Sequence, residues 1–235
     1  MEPNILETQF FNGVNNTKFL LNDLIENKKI NQKYFSEINN SINEILNSNI
    51  IDIFTTIHNV QSETDIVYTH CFNVAIISAL ISNWCGYDSL AKEKILEGAI
   101  VHDIGKLLVD EEILNKESAL SNTERAQISS HTVEGYKMLR NGELNRDTLS
   151  AILMHHERMD GSGYPLGLRG EKINFYARII AIADVYEGMT AKRLYRVPFS
   201  PEYVINFIKE NKDKFDKNIV DIFVEKMNPA KEVQF

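Results

Sequence analysis

The 235-residue chain has little cysteine and no long apolar segment. Its two cysteines, Cys71 and Cys85, fall on one predicted helix, where fourteen residues correspond to about 21 Å of rise and place a disulfide out of reach. We expect reduced core thiols. No uninterrupted apolar run approaches the roughly 18 residues that cross a bilayer, and the first four residues lack a basic, signal-like start. These absences predict a cytoplasmic protein with no membrane segment.

Basic residues are also fewer than acidic ones, 25 against 33, which gives a net charge of −8. This balance argues against non-specific binding to polymeric nucleic acid or to an anionic membrane. A site for an anion must therefore be local. The length suits one domain, or one domain with a helical extension.

Alternation with a period of two residues is scarce, whereas apolar residues spaced by three and four are frequent. Phe35, Ile38 and Ile42 follow this spacing, as do Val74 and Ile77. The sequence therefore predicts an all-α protein.

Capping residues mark the predicted helix boundaries. Ser121 and Glu124 have the spacing of a capping box, which predicts the start of a helix that ends near Gly142. Ser200 is a predicted N-cap, and Gly86 is predicted to follow the end of another helix.

Residues 1–60 contain two or three predicted amphipathic helices and no cluster of chemically reactive residue types. We expect a helical N-terminal extension that covers a face of the core. Formation of a homodimer through these helices, or contact with a partner, is the alternative. Residues 61–235 are expected to form the functional domain, with a boundary near residues 61–63.

Histidines and aspartates form the strongest pattern in the chain. Five of the 6 histidines occur on successive predicted helices, and two aspartates interrupt apolar stretches; the seven residues are His70, His102, Asp103, His131, His155, His156 and Asp184. Ionised carboxylates in apolar surroundings need a cationic partner, and a helical bundle can direct ligands from several helices at a shared metal site. Seven groups exceed the needs of one divalent ion. We therefore expect two ions, with Asp103 bridging them through its two oxygens.

Imidazole and carboxylate ligands without thiolate favour iron, then manganese, with zinc also acceptable. The sixth histidine, His58, lies outside this pattern and is expected to be structural. Residues 160–170 contain four of the 11 glycines and follow His155 and His156 directly, which favours a site loop over a simple connection between helices.

The ordered motifs of this chain resemble those of the HD-GYP family within the HD phosphohydrolase superfamily. The residues that carry the resemblance are His102-Asp103-Ile104-Gly105-Lys106, then His131, then the run from His155 to Pro165. The resemblance extends over residues 64–201. It implies an HD-domain helical bundle, a centre of two or three metal ions, and hydrolysis of the bacterial second messenger cyclic di-GMP to pGpG, GMP or both.

The resemblance also implies roles for particular residues. It maps the family's metal ligands onto the same seven histidines and aspartates, and it assigns Lys106 to the scissile phosphate. In the metal-dependent hydrolysis that we expect, two ions about 3.5–4 Å apart would lower the pKa of a bridging water, so that hydroxide could attack the phosphodiester. Asp103 would orient this nucleophile, and Lys106 would neutralise the developing charge.

Basic residues are concentrated between Arg158 and Arg196, where seven stand against four acidic residues. Within this segment we expect Lys192, Arg193 and Arg196 to bind substrate phosphates, with surface salt bridges as the alternative. Tyr164 is expected to stack on a guanine or to form a hydrogen bond with a phosphate.

Two alternative functions remain open at this point. One is a catalytically idle receptor for a cyclic dinucleotide. The other is the same enzyme class with a different substrate, either another cyclic dinucleotide such as 3′,3′-cGAMP or a nucleotide monoester.

The chain departs from the family at several positions. Ile66 stands four residues before His70, where members with three metals have a glutamate, so we expect two ions and not three. Glu187 replaces the usual aspartate and Leu194 a frequent proline. We expect these last two changes to affect the pocket edge more than the metal centre.

Overall fold

The computed structural model describes residues 5–59, 65–116, 118–192 and 197–228, and within these ranges it contains helices and no strand. The all-α prediction is confirmed. Three helices precede the first internal gap: α1 (Ile5–Asn27), α2 (Gln32–Leu46) and α3 (Ile50–Asn59). The later helices are α4 (Ile66–Trp84), α5 (Ser89–Val101), α6 (Glu111–Leu114), α7 (Asn122–Ser129), α8 (His131–Leu139), α9 (Arg146–Met154), α10 (Phe175–Thr190), α11 (Pro201–Glu210) and α12 (Lys217–Met227). Short 3-10 helices occupy Ile104–Leu108, Gly170–Lys172 and Lys212–Lys214.

The predicted capping box is present, but the helix it begins is shorter than expected. The Ser121 hydroxyl accepts from the Glu124 backbone N–H, and the Glu124 carboxylate accepts from the Ser121 N–H. The helix ends at Ser129 because the Ser130 hydroxyl donates to a carbonyl of the preceding turn, a local bond that competes with helix continuation. The expected single helix is therefore two helices, and the break places His131 at the start of α8.

Helix α4 lies at the centre of the bundle and packs against α1, α5, α10 and α12. Its length and mean hydropathy of 1.4 would suit a bilayer crossing, but 72% of the relevant window is buried inside the fold, as in the core helix of a globular protein. Cys71 on this helix is buried, and Cys85 at its C-terminal cap is half-buried. Both thiols are free, as predicted.

The N-terminal helices share their core with the rest of the chain. The rings of Phe10 on α1 and Phe72 on α4 pack edge to face, with centroids 5.4 Å apart, and both are fully buried. Gly13 permits this contact, because a Cβ there would lie 1.9 Å from the Phe72 ring. The expected boundary near residues 61–63 lies outside the described residues, so the division into 1–60 and 61–235 stays a proposal, as does dimerisation through the N-terminal helices.

Replacing Phe10 with alanine should lower the free energy of unfolding by about 3–5 kcal/mol, because a fully buried ring is lost from the contact between α1 and α4. Urea unfolding followed by circular dichroism measures this loss, and we expect one cooperative transition. Phe11→Ala on the same helix is the matched control, since Phe11 is 52% exposed and its loss should cost less than about 0.5 kcal/mol. Equal effects of the two substitutions would contradict a shared core.

Candidate metal centre

The seven predicted ligands meet in one place, and most come from the ends of helices. His102 caps the C-terminus of α5, and Asp103 directly precedes the 3-10 helix Ile104–Leu108. His131 is the first residue of α8. His155 caps the C-terminus of α9, and His156 follows it. The other two ligands, His70 and Asp184, lie inside α4 and α10.

The cluster divides into two groups of side chains, each with ligand atoms within 4.8 Å of one another. The first group contains Asp103, His131, His155 and His156; the second contains His70, His102 and Asp184. The groups are in contact, since His156 Nδ1 lies 3.6 Å from Asp184 Oδ2.

Asp103, a member of the first group, lies where the two groups meet and is fully buried. Its Oδ1 is 3.0 Å from His131 Nε2 and 3.6 Å from His155 Nε2. Its Oδ2 is 3.1 Å from His70 Nε2 and 3.5 Å from His102 Nε2. One oxygen therefore faces each group, which is the arrangement that a bridging carboxylate requires.

Three histidines are oriented by carbonyl groups of the last turn of a helix. His102 Nδ1 lies 2.7 Å from the Ala99 oxygen, and His131 Nδ1 lies 2.7 Å from the Ile128 oxygen. His155 Nδ1 is 3.1 Å from two carbonyl oxygens near the end of α9. A ring nitrogen that faces a carbonyl must donate, so the Nε2 atom of each ring carries the lone pair and is the available metal ligand.

The donor set fits divalent metal ions. Nε2 atoms face one another at 3.3 Å between His70 and His102, and at 3.2 Å between His131 and His155. Two ligands about 2.1 Å from one ion lie roughly 3.0–3.4 Å apart at the usual angles, so the spacing matches. Asp103 Oδ1 is buried without a hydrogen bond, and a cation would satisfy it.

The charge states of three histidines and of both aspartates also suit metal binding. Burial lowers the pKa of His102 to about 3 and lowers the pKa of His155 and of His156, which keeps these rings neutral. Burial opposes ionisation of Asp103 and Asp184, but Lys106 and the histidines hold the pKa of Asp103 well below the usual range, and the histidines do the same for Asp184. Neutral imidazoles and ionised carboxylates are the forms that bind metals.

Glu187 contacts the metal centre directly, whereas the sequence predicted that a change at this position affects the pocket edge more than the metal centre. Its buried carboxylate lies 2.5 Å from His70 Nδ1 through Oε2 and accepts from Asn73 Nδ2 at 3.1 Å through Oε1. Glu187 is three residues after Asp184 on α10, so both carboxylates face His70 from the same side of the helix. This spacing was the sequence signal for its role. Burial disfavours a charge on His70, but Glu187 and the two aspartates raise the pKa of His70 well above its ordinary value.

Lys106 and Gly105 pack the segment after Asp103 against the cluster. Lys106 Nζ forms an ion pair with Asp103 Oδ2, and its side chain remains 22% exposed. A Cβ at Gly105 would lie 1.9 Å from the His131 carbonyl oxygen, so only glycine lets α8 come this close. Lys106 therefore lies beside the predicted metal ligands, and its role at a scissile phosphate stays a prediction.

The glycine-rich loop lies against the histidine cluster, as the sequence predicts. The Tyr164 ring stacks on His156 with centroids 4.8 Å apart and is 37% exposed. Glu157, which sequence reasoning missed, is buried and anchors the loop: Oε1 accepts from Leu166 N–H at 2.6 Å and Oε2 from Leu168 N–H at 2.9 Å. A carboxylate that caps two backbone N–H groups nine and eleven residues away leaves no pattern in the sequence.

The remaining predicted residues are not in contact with the cluster or cannot be placed. Lys192 is exposed just beyond the end of α10. Arg193 and Arg196, and the family departure at Leu194, lie outside the described residues. His58 on α3 packs near Phe54, with ring centroids 6.4 Å apart, and belongs to neither ligand group.

The position that carries a third metal ligand in the family is aliphatic in this chain, and its neighbour faces elsewhere. Ile66 begins α4, one turn before His70. Asp65 forms an ion pair with Lys18 of α1, with Oδ1 and Nζ 2.7 Å apart. Neither residue belongs to the two ligand groups.

Comparison with known proteins now identifies the family. The model of a family described as "HD domain" matches residues 55–219, which is more than half of the chain. The chain belongs to the HD domain family. The fold of the chain also matches that of a solved structure, Bd1817, an HDG"Y"P protein from Bdellovibrio bacteriovorus. The TM-score is 0.72 and the sequence identity 16%, and the match covers 95% of this chain and 74% of that chain. The resemblance to HD-GYP proteins is confirmed.

Two curated relatives are similar to this HD domain in sequence. The Cyclic di-GMP phosphodiesterase PA4108 of Pseudomonas aeruginosa is 34% identical over 70% of this chain and 41% of its own length. The 3′3′-cGAMP-specific phosphodiesterase 1 of Vibrio cholerae is 32% identical over 70% of this chain and 39% of its own length. The chain therefore spans about two fifths of the length of these relatives.

The metal-free protein should lose stability as the pH falls below about 6.5. Four histidines have folded pKa values below the ordinary value of 6.5, so the unfolded chain binds more protons there: His58, His102, His155 and His156. His70 acts in the opposite sense, because its raised pKa contributes stability below about 6.5 that is lost as the pH rises through its folded value. Because four histidines lower the free energy of unfolding on acidification and one raises it, we expect a net loss of stability.

Urea unfolding of chelator-treated protein at about pH 7.5 and about pH 5 measures this difference. A midpoint that stays constant or rises on acidification would show that the buried histidines are not neutral in the folded state.

Proposed function

We propose that this HD domain hydrolyses a phosphodiester bond of cyclic di-GMP, releasing pGpG and, from a second hydrolysis, GMP. The observation that supports it most is the convergence of six imidazole and carboxylate groups around Asp103, with the partly exposed Lys106 beside them. The relative PA4108 is named as a cyclic di-GMP phosphodiesterase, which agrees with the proposal.

The two ligand groups favour two divalent ions, iron first, manganese next and zinc acceptable. Bound in this centre, such ions would supply Lewis acidity to the phosphodiester and a water of lowered pKa. Asp103, with one oxygen toward each group, would orient the nucleophile. Asp184 and the five histidines complete the ligand set.

The chain's own residues would hold the substrate around this centre. Lys106, through Nζ, would bind the scissile phosphate and neutralise charge that develops there. Tyr164, stacked on His156 and partly exposed, would contact a guanine ring or a phosphate of the substrate at the exposed edge of the metal centre. The expected binding of substrate phosphates by Lys192, Arg193 and Arg196 stays a prediction from the sequence.

A second candidate substrate is 3′,3′-cGAMP, and a named relative from Vibrio cholerae supports it. Lys106 and the metal ligands would contact phosphate and not the base, so they favour neither guanine nor adenine. A catalytically idle receptor is the less favoured function, because a receptor has no need for a full set of seven ligands. A cytoplasmic location in a bacterial cell and a homodimer complete the proposal.

His102→Ala and Asp103→Ala should each abolish hydrolysis and bound metal together, because each removes a ligand from a mutually supporting site. Anaerobic protein loaded with iron or manganese is offered cyclic di-GMP, 3′,3′-cGAMP and pGpG in parallel, and metal content is measured by elemental analysis. His58→Gln is the matched control, since His58 lies outside both groups, and it should keep metal and turnover. Hydrolysis by a metal-free His102→Ala protein, or by none of the metal-loaded forms, would contradict the proposal.

The unmodified protein should hold two ions, and Ile66→Glu should raise the ratio toward three, because a glutamate one turn before His70 supplies the anionic ligand that isoleucine cannot. Metal-to-protein ratio on anaerobically prepared protein measures this change. Ile66→Gln, with the same shape and no charge, is the control and should stay at two. A ratio near three before any substitution would overturn the two-ion assignment.

A further inference from the structure

We propose that Glu187 is a positioning residue that holds His70 with its Nδ1 as proton donor and its Nε2 lone pair toward the metal ligands, and so maintains the second ligand group selectively. The inference rests on the proposed metal centre. It concerns which of the two groups depends on a carboxylate outside the ligand set.

The need for Glu187 follows from where His70 lies. The carbonyl groups that orient His102, His131 and His155 belong to the last turns of α5, α7 and α9, where the helix ends and its carbonyls can accept from a nearby side chain. His70 lies in the second turn of a 19-residue helix, where the carbonyls of the preceding turn accept the helix's own bonds. Its Nδ1 needs an acceptor from another element, and α10 supplies one.

Glu187 is itself held in a defined orientation. Its Oε1 accepts from Asn73, three residues after His70 on the same face of α4, while Oε2 meets His70 Nδ1. The carboxylate therefore bonds to two residues of α4 at once and is buried. In this position it fixes both the rotation and the tautomer of the His70 ring, whose Nε2 lies 3.1 Å from Asp103 Oδ2 and 3.2 Å from Asp184 Oδ1.

A carboxylate acceptor differs from a carbonyl in its effect on the ring. Its negative charge makes the imidazole a stronger donor to a cation, and loss of such a partner typically weakens metal affinity about 10–100-fold. In the first group, Nδ1 of His131 and of His155 faces a carbonyl, and Nδ1 of His156 faces Asp184, which is itself a ligand; Glu187 contacts none of them. Removal of Glu187, unlike removal of His102 or Asp103, leaves all seven ligands in place, so it should weaken the ion of the second group and spare the other.

Two variants test this inference by a readout that does not involve turnover. Glu187→Ala removes the acceptor, and Glu187→Gln keeps an amide oxygen while removing the charge. Manganese-loaded protein is titrated with a chelator, and bound manganese is followed by elemental analysis and by paramagnetic resonance, which separates paired from single ions. Glu97→Gln is the matched control, because Glu97 on α5 is a part-buried carboxylate that accepts from Thr148 and Asn145 and touches no ligand.

The unmodified protein and Glu97→Gln should release their two ions at the same chelator concentrations. Glu187→Gln should lose one ion at about 10–100-fold lower chelator and keep the other, and Glu187→Ala should hold one ion with a single-ion signal. Unchanged release of both ions from Glu187→Gln, or equal weakening of both, would overturn the inference. Should Glu187→Ala fail to fold, the Gln variant decides alone. Since no substrate is present, failure of this test is distinct from failure to hydrolyse cyclic dinucleotides.

Discussion

An ionised carboxylate without water around it must be compensated by the groups that pack against it, and Asp103 imposes this requirement on four helices. Its two oxygens meet histidines brought by α4, α5, α8 and α9, and Lys106 approaches from the next turn. The close packing of α8 on the Gly105 backbone is part of the same constraint. The relative placement of these helices is thus tied to a single acidic group.

Features of the site that are local in the chain could be predicted from the sequence. Asp103 and Asp184 stand out because they interrupt apolar stretches that otherwise predict buried helices, and the capping box at Ser121 is a pattern of four residues. The break at Ser130 could not be predicted from the sequence in the same way. A serine can lie inside a helix or end it, depending on which group its hydroxyl bonds to.

Features that depend on distant parts of the chain were missed or misplaced. Glu187 meets His70 across 117 residues: its spacing from Asp184 indicates a shared helix face, but its partner His70 follows only from the packing of α10 on α4. Glu157 follows two histidines in a recognisable motif, yet its bonds go to backbone N–H groups of Leu166 and Leu168, whose positions depend on the loop conformation. Periodicity reports burial but not the partner of a buried polar group.

The two ligand groups differ in how far apart their members lie along the chain. The first group is contained in residues 103–156, whereas the second needs residues as distant as His70 and Asp184. Contacts across a longer stretch of chain close a larger loop and form later in folding on average. A polypeptide made from its N-terminus has all four residues of the first group by position 156, while the second group stays incomplete until α10 has been synthesised and has docked on α4.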